Sequence, residues 1–224
     1  MTSGKPNSAK MRSQPRQARS QERVNQILDA AEELFIREGY EATKMRSLAK
    51  AAGVPIGSIY QFFKDKSEIL QALHVRYLEF FQQRLDALDD EMMVQLPLPD
   101  YVEQVVDFCN QFLIDYPGYY AIFTQVQGLP PGWQQLEDSL DAKILRDWAI
   151  ELKQRDASLT EQDCQAIAFV LLKTIDNMLW LAQGQNDEFR ARLVNETKRF
   201  TLSYLQSYCH NTTNIMNITK NQPL

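Results

Sequence analysis

Residues 39–66 read GYEATKMRSLAKAAGVPIGSIYQFFKDK, and the fold turns on them. Thr43 stands where a helix cap is wanted, ahead of a short helix predicted over about 44–51 with Met45, Leu48 and Ala49 on its inner face. Gly53 breaks that helix. A second short helix is predicted over about 55–62, with Pro55 near its first turn, where a missing N–H costs little. Two short helices joined by a tight turn containing glycine form a helix-turn-helix. Leu48 and Ala49 allow the helices to cross closely, while Val54 and Ile59 fill the space beneath the second one. The polar residues left outside make one protruding edge of the kind that enters a major groove.

Working outward, Val24, Ile27, Leu28, Ala31, Leu34 and Phe35 recur at helical spacing, which predicts a helix from about Gln21 to Glu38, stopped by Gly39. From Lys66 a long helix carries Ile69, Leu70, Leu73, Tyr77, Phe80, Phe81 and Leu85. Residues 95–100 (QLPLPD) read as a connection, and helical patterns resume over about 100–115 and 119–127, separated by Tyr116-Pro117-Gly118. After the loop at 129–132 come amphipathic segments at about 133–156, 160–184 and 187–208. Thr160 and Asp163 have the spacing of a capping box. Strand patterns, glycine-rich phosphate loops and internal repeats are absent, so the expected class is all-α. The expected organisation is a disordered basic arm at 1–19, a helix-turn-helix domain at 20–66, a ligand-binding and dimerisation domain at 67–209, and a disordered tail at 210–224.

The set Thr43, Leu48-Ala49, Ala52-Gly53-Val54, Gly57-Ser58-Ile59-Tyr60, Phe63 and Lys66 resembles the TetR family of bacterial repressors, with an AcrR-like head. The resemblance covers about residues 20–70, roughly a quarter of the chain. It implies that Thr43 and Tyr60 hydrogen-bond phosphates and that Lys66 meets the DNA backbone. It places Lys44 and Arg46 within reach of phosphate or a guanine edge. It puts Ile56, Gly57, Ser58 and Gln61 on the recognition edge, where Ile56 suits a thymine methyl and Gln61 an adenine. Lys64 is a further candidate contact, equally readable as a solvated charge. Tyr60 has a second reading, its ring covering the edge of the core. Pro55 and Phe62 depart from the polar residues frequent at those places.

The charge distribution agrees with a polyanion at one end. The chain carries −5 overall, but residues 1–66 hold twelve Lys/Arg against seven Asp/Glu, so the remainder carries −10. Arg12, Arg16 and Arg19 stand just ahead of the first helix. Cys109, Cys164 and Cys209 are too few and too scattered for a disulfide framework or a zinc site. With only His74 and His210, a metal centre or catalytic triad is poorly supplied, so neither enzyme activity nor a cofactor or metal is expected. The polar start lacks the apolar run of a secretory signal, and no stretch approaches the about 18 apolar residues of a membrane span. The expected location is therefore the cytoplasm, with no membrane partner.

A single helix-turn-helix makes few contacts, so a dimer reading two half-sites is expected. In the family the last two long helices of each subunit form a four-helix bundle. Here Ile167, Val170, Leu171, Thr174, Ile175 and Met178 offer one face, and Phe189, Leu193, Phe200, Tyr204 and Leu205 the other. Which of them face the chain's own core is left open. The aromatic-rich middle of the chain is compatible with an ordinary core or with an apolar cavity for a small effector, lined by Phe112, Tyr120, Phe123, Trp148, Phe169, Asn177 and Trp180. Asp176 and Asn177 suit ligand orientation or pairing across the dimer. The expected function is a ligand-responsive, homodimeric repressor of palindromic operator DNA. An activator or a corepressor-dependent binder with the same head is the alternative.

Overall fold

The apolar stripe of the first long segment is buried, and the rest of the head is built on it. The computed structural model describes residues 9–87, 90–124 and 133–208, without the side chains of 9–17, 90, 91, 94 and 133–140. The described elements are all helical: α1 (Ala9–Glu38), α2 (Met45–Ala51), α3 (Ile56–Phe62), α4 (Lys66–Asp86), α5 (Asp90–Gln95), α6 (Leu98–Asp115), α7 (Pro117–Phe123), α8 (Trp133–Arg155), α9 (Glu161–Gln183) and α10 (Asp187–Gln206). They divide into two compact units, Met1–Tyr77 with Ala121–Pro130, and Leu78–Tyr120 with Pro131–Leu224. The first unit therefore extends beyond the expected boundary at Lys66.

In the first unit Ile27, Ala31, Leu34 and Phe35 of α1 are buried with Leu48 and Ala49 of α2, Ile59 of α3, and Ile69, Leu70, Leu73 and Tyr77 of α4. Each large aliphatic side chain in that set contributes about 1.5–3 kcal/mol by leaving water. The turn between α2 and α3 is a Schellman motif. Val54 N–H donates to Ala49 C=O (3.0 Å), Gly53 N–H donates to Lys50 C=O (3.3 Å), and Gly53 has φ of 64°. Val54 and Ala49 are themselves buried, which supplies the apolar contact such turns favour. At the start of α4, Asp65 accepts from the Glu68 N–H (3.1 Å), while Glu68 accepts from the Lys64 N–H (2.6 Å). The α1–α4 crossing is tied by charge: Arg76 donates to Asp29 and Glu32, and the Tyr77 hydroxyl donates to Glu32.

Two boundaries differ from the sequence reading. α1 begins at Ala9 instead of near Gln21, so most of the expected arm continues the helix, and among the described side chains the first buried one is Ile27. α6 begins at Leu98, with Pro97 as N-cap and Pro99 in the first turn. Proline is tolerated there because those N–H groups have no helical acceptor, so a stretch that reads as a loop starts a helix. The arm residues before Ala9, the loop at 129–132 and the tail beyond Tyr208 lie outside the described residues.

In the second unit α9 packs against α8 and α10, and α10 also packs against α6. α9 buries Cys164, Ile167, Ala168, Leu171, Ile175, Leu179 and Ala182 at three- and four-residue steps. Its capping box is present: Thr160 Oγ1 accepts from Asp163 N–H (3.1 Å), and Asp163 accepts from Thr160 N–H (3.2 Å). Arg155 of α8 donates to the carbonyls of Met93 (2.6 Å) and Leu96 (2.8 Å), closing the end of α5, and lies 4.2 Å over the Tyr101 ring. Lys198 of α10 reaches Asp107 (2.7 Å) and Glu103 (3.3 Å) of α6. Burial works against its charge, but those two carboxylates prevail and its pKa is raised.

Candidate functional site

α3 is a seven-residue helix anchored by one buried side chain, Ile59, and by Phe63 just beyond it. With Ile59 turned inward, helical geometry turns positions 57 and 61 to the opposite side and 60 to the flank, while Ile56, in the first turn, shares the side of Ile59 and is only partly covered. Ile56 is 37% exposed and Tyr60 55%, and Gly57 and Gln61 are exposed beside them, with Ser58 half-buried. α2 places Lys44 and Arg46 in solvent, and Lys64 is exposed after α3. Nine of the ten expected contact residues are thus at least partly accessible, and Thr43 alone is buried.

Thr43 and Lys66 both bond within the head. Thr43 is 2% exposed, and its hydroxyl donates to Gly39 C=O (2.8 Å). It does not cap α2, whose N-cap is Lys44 without a side-chain bond. Lys66 folds back onto the α1–α2 loop. Its ammonium donates to the carbonyls of Tyr40 and Glu41 and sits 4.2 Å over the Tyr40 ring. The Lys66 side chain remains 20% exposed. The Tyr40 hydroxyl is pushed to a higher pKa by burial and then by Glu41 and Asp65.

The expected effector residues do not converge. Tyr120 and Trp180 meet edge to face at 4.9 Å, and Tyr119 joins Trp180 at 5.6 Å. Phe112 packs against Phe81, Tyr116 and Tyr119. These rings belong to one network, in which ring fills the space beside ring. Trp148 is half-buried on α8. Phe169 is 52% exposed. Asp176 and Asn177 expose much of their surface, yet burial raises the pKa of the Asp176 carboxyl. Phe123 belongs to the other unit, where it packs against His74 (5.3 Å) and Tyr77 (6.1 Å). Burial lowers the His74 pKa to about 4, so this imidazole is neutral at pH 7.

A cleft of about 390 Å³ opens instead among Arg84, Met93, Gln104, Asp107, Phe108 and Gln111. Of these, the sequence points only to Phe108, as one of the aromatic residues in the middle of the chain. The available signal was the spacing of Gln104, Asp107, Phe108 and Gln111, which places them on one face of α6. Arg84 is paired with Asp115, so its charge is partly neutralised. Among the described residues no group of three or more His, Cys, Asp or Glu is placed to hold a metal ion.

Two family models match the chain. "Bacterial regulatory proteins, tetR family" covers residues 27–73, and "Tetracyclin repressor-like, C-terminal domain" covers residues 97–205. YhgD of Bacillus subtilis, named as an uncharacterized HTH-type transcriptional regulator, is 29% identical over 157 residues, which is 68% of this chain and 80% of that protein. The fatty acid metabolism regulator protein of the same organism is 39% identical over 61 residues, only 27% of this chain and 31% of that protein. A transcriptional regulator from Rhodococcus sp. Rha1 shares the fold with a TM-score of 0.62, at 15% identity, over 82% of this chain and 96% of that one. The first model falls on the helix-turn-helix and the second on α6–α10, and between them they span Ile27 to Leu205. The chain belongs to the TetR family of transcriptional regulators.

Proposed function

We propose that this regulator is a repressor that binds palindromic operator DNA as a homodimer in the cytoplasm and leaves it when a small effector binds. The observation that carries this reading is the exposed edge on α2 and α3. Lys44, Arg46 and Lys64 supply charge for phosphates, and Ser58 and Gln61 supply hydrogen bonds for base edges. Ile56 offers an apolar contact, Tyr60 a hydroxyl, and Gly57 room. Thr43 and Lys66 act one step back, holding the α1–α2 loop from which α2 projects.

The dimer reading rests on α9 and α10. Phe169, Val170 and Leu181 of α9 and Phe189 and Phe200 of α10 are exposed large apolar side chains of one unit. Rows of this kind mark protein interfaces. Among the described residues α9 is also long and apolar enough to cross a membrane. Its exposed Lys173, Asp176 and Asn177 suit a partner helix, not hydrocarbon. Two subunits then present two copies of α3 about 34 Å apart, one turn of DNA.

For the effector, Met93 and Phe108 give the cleft an apolar floor and Arg84, Gln104, Asp107 and Gln111 a polar rim. That lining fits a small molecule with an apolar or aromatic body and one polar end. α4 and α7 each contribute residues to both units, which makes them the elements through which the effector biases the head. The effector acts only through its different affinity for the two states.

The test is a reporter fused to an operator selected by the purified protein. Repression by the chain is expected. Activation, or repression only with an added small molecule, would replace this reading with an activator or a corepressor-dependent binder.

A further inference from the structure

Three glycines stand in residues 39–66, and the backbone explains two of them. Gly39 and Gly53 have φ of 86° and 64°, the left-handed region that glycine enters without strain. Gly57 has no such requirement. It lies within α3, and no positive φ is found there. It is exposed, and a Cβ built on it meets nothing within 4 Å. Alanine is a better helix former than glycine, so neither the backbone nor the chain's own packing favours glycine here.

The surroundings indicate what does. Tyr60 and Gln61, three and four residues on, share the face of Gly57 and are exposed, and so is Ile56 beside it. Gly57 is therefore a notch one side chain deep in the row that faces outward.

We propose that Gly57 is the point of closest backbone approach of α3 to the base edges, a specificity-determining position whose missing side chain is demanded by DNA and not by the fold. This rests on the DNA-reading function above. A methyl group there holds α3 away from the groove. Hydrogen bonds from Ser58 and Gln61 to base edges tolerate little displacement. The long side chains of Lys44, Arg46 and Lys64 follow a phosphate across it. Sequence discrimination is thus lost while electrostatic attraction stays.

The experiment compares the full-length chain with Gly57→Ala and Gly57→Ser by thermal melting and by titration of two duplexes, the site selected by the wild type and a scrambled version. The expected result for Gly57→Ala is an unchanged melting temperature or one raised by about 2 °C. Its affinity for the selected site falls at least about tenfold, with scrambled-site affinity kept within about twofold. Gly57→Ser shows the same loss of discrimination. A Gly57→Ala variant that binds the selected site like the wild type overturns the proposal. So does one that melts markedly lower, because the fold then needs the glycine. A wild type that selects no sequence removes the DNA-reading function, and this proposal with it, a result distinguished by measuring the wild type first.

Discussion

α3 and α9 both leave a row of side chains in solvent, and the two rows are chemically opposite. α3 buries one anchor, Ile59, and presents Gly57, Tyr60 and Gln61 around an exposed Ile56. α9 buries seven residues on one side and still presents Phe169, Val170 and Leu181 on the other. A small, mostly polar row with basic neighbours suits a hydrated, charged surface such as DNA. A row of large apolar groups suits a second helix face, where its removal from water contributes about 25 cal/mol per Å². A surface helix therefore declares the kind of partner it meets by what it leaves outside.

Breaking the α9 row has the largest expected effect. Phe169→Asp combined with Leu181→Asp leaves the monomer folded, because both side chains are exposed in it. The charges prevent pairing, so the variant sediments as a monomer, and operator affinity falls on the order of 10³-fold as the two heads lose their linkage. A variant that still sediments as a dimer would assign the dimer to another face.

Next comes a pH effect confined to the first unit. The His74 pKa is about 4, lowered by burial, against about 6.5 in an unfolded chain. Between these values the unfolded state binds the extra proton. Stability is complete above pH 6.5 and declines as pH falls toward 4, by up to about 3 kcal/mol. Urea titrations across that range should show the loss, and His74→Asn should flatten it. An identical pH profile in that variant would mean that other groups titrate.

The clasp between α1 and α4 gives a smaller change. Glu32→Ala deprives both Arg76 and Tyr77 of an acceptor and should cost about 2 kcal/mol in denaturant unfolding. Asp29→Ala, whose carboxylate is largely exposed, should cost about 0.5 kcal/mol. Equal costs would show that Glu32 is not the hub. A change smaller than that at Glu32 is expected at the α2 edge. Arg46→Ala should weaken binding about tenfold on selected and scrambled DNA alike and lower the salt slope by about one. A loss limited to the selected site would move Arg46 from phosphate to base contact.

The head was legible because its determinants are local. Leu48, Gly53, Val54 and Ile59 fix two short helices and the turn between them within a dozen residues. Thr43 and Lys66 have partners that the motif alone does not show. Each has the right chemistry for phosphate, but each meets a carbonyl of its own chain, and for Lys66 the partner is 26 residues away in sequence. In the body, α9 carries apolar residues on its buried side and also Phe169, Val170 and Leu181 on its exposed side, so periodicity alone does not assign each of them. Tyr120 and Phe123 are three residues apart on α7 yet belong to different units. The cleft is not legible in the sequence because four of its six lining residues are charged or amide, and such residues on a helix read as a solvated face.

The measurement that tests the central claim most directly is selection of random duplex DNA by the purified full-length chain at near-physiological salt. A palindrome with half-sites about one or one and a half turns apart is the predicted result. No enrichment, with only weak and salt-sensitive binding, would contradict it.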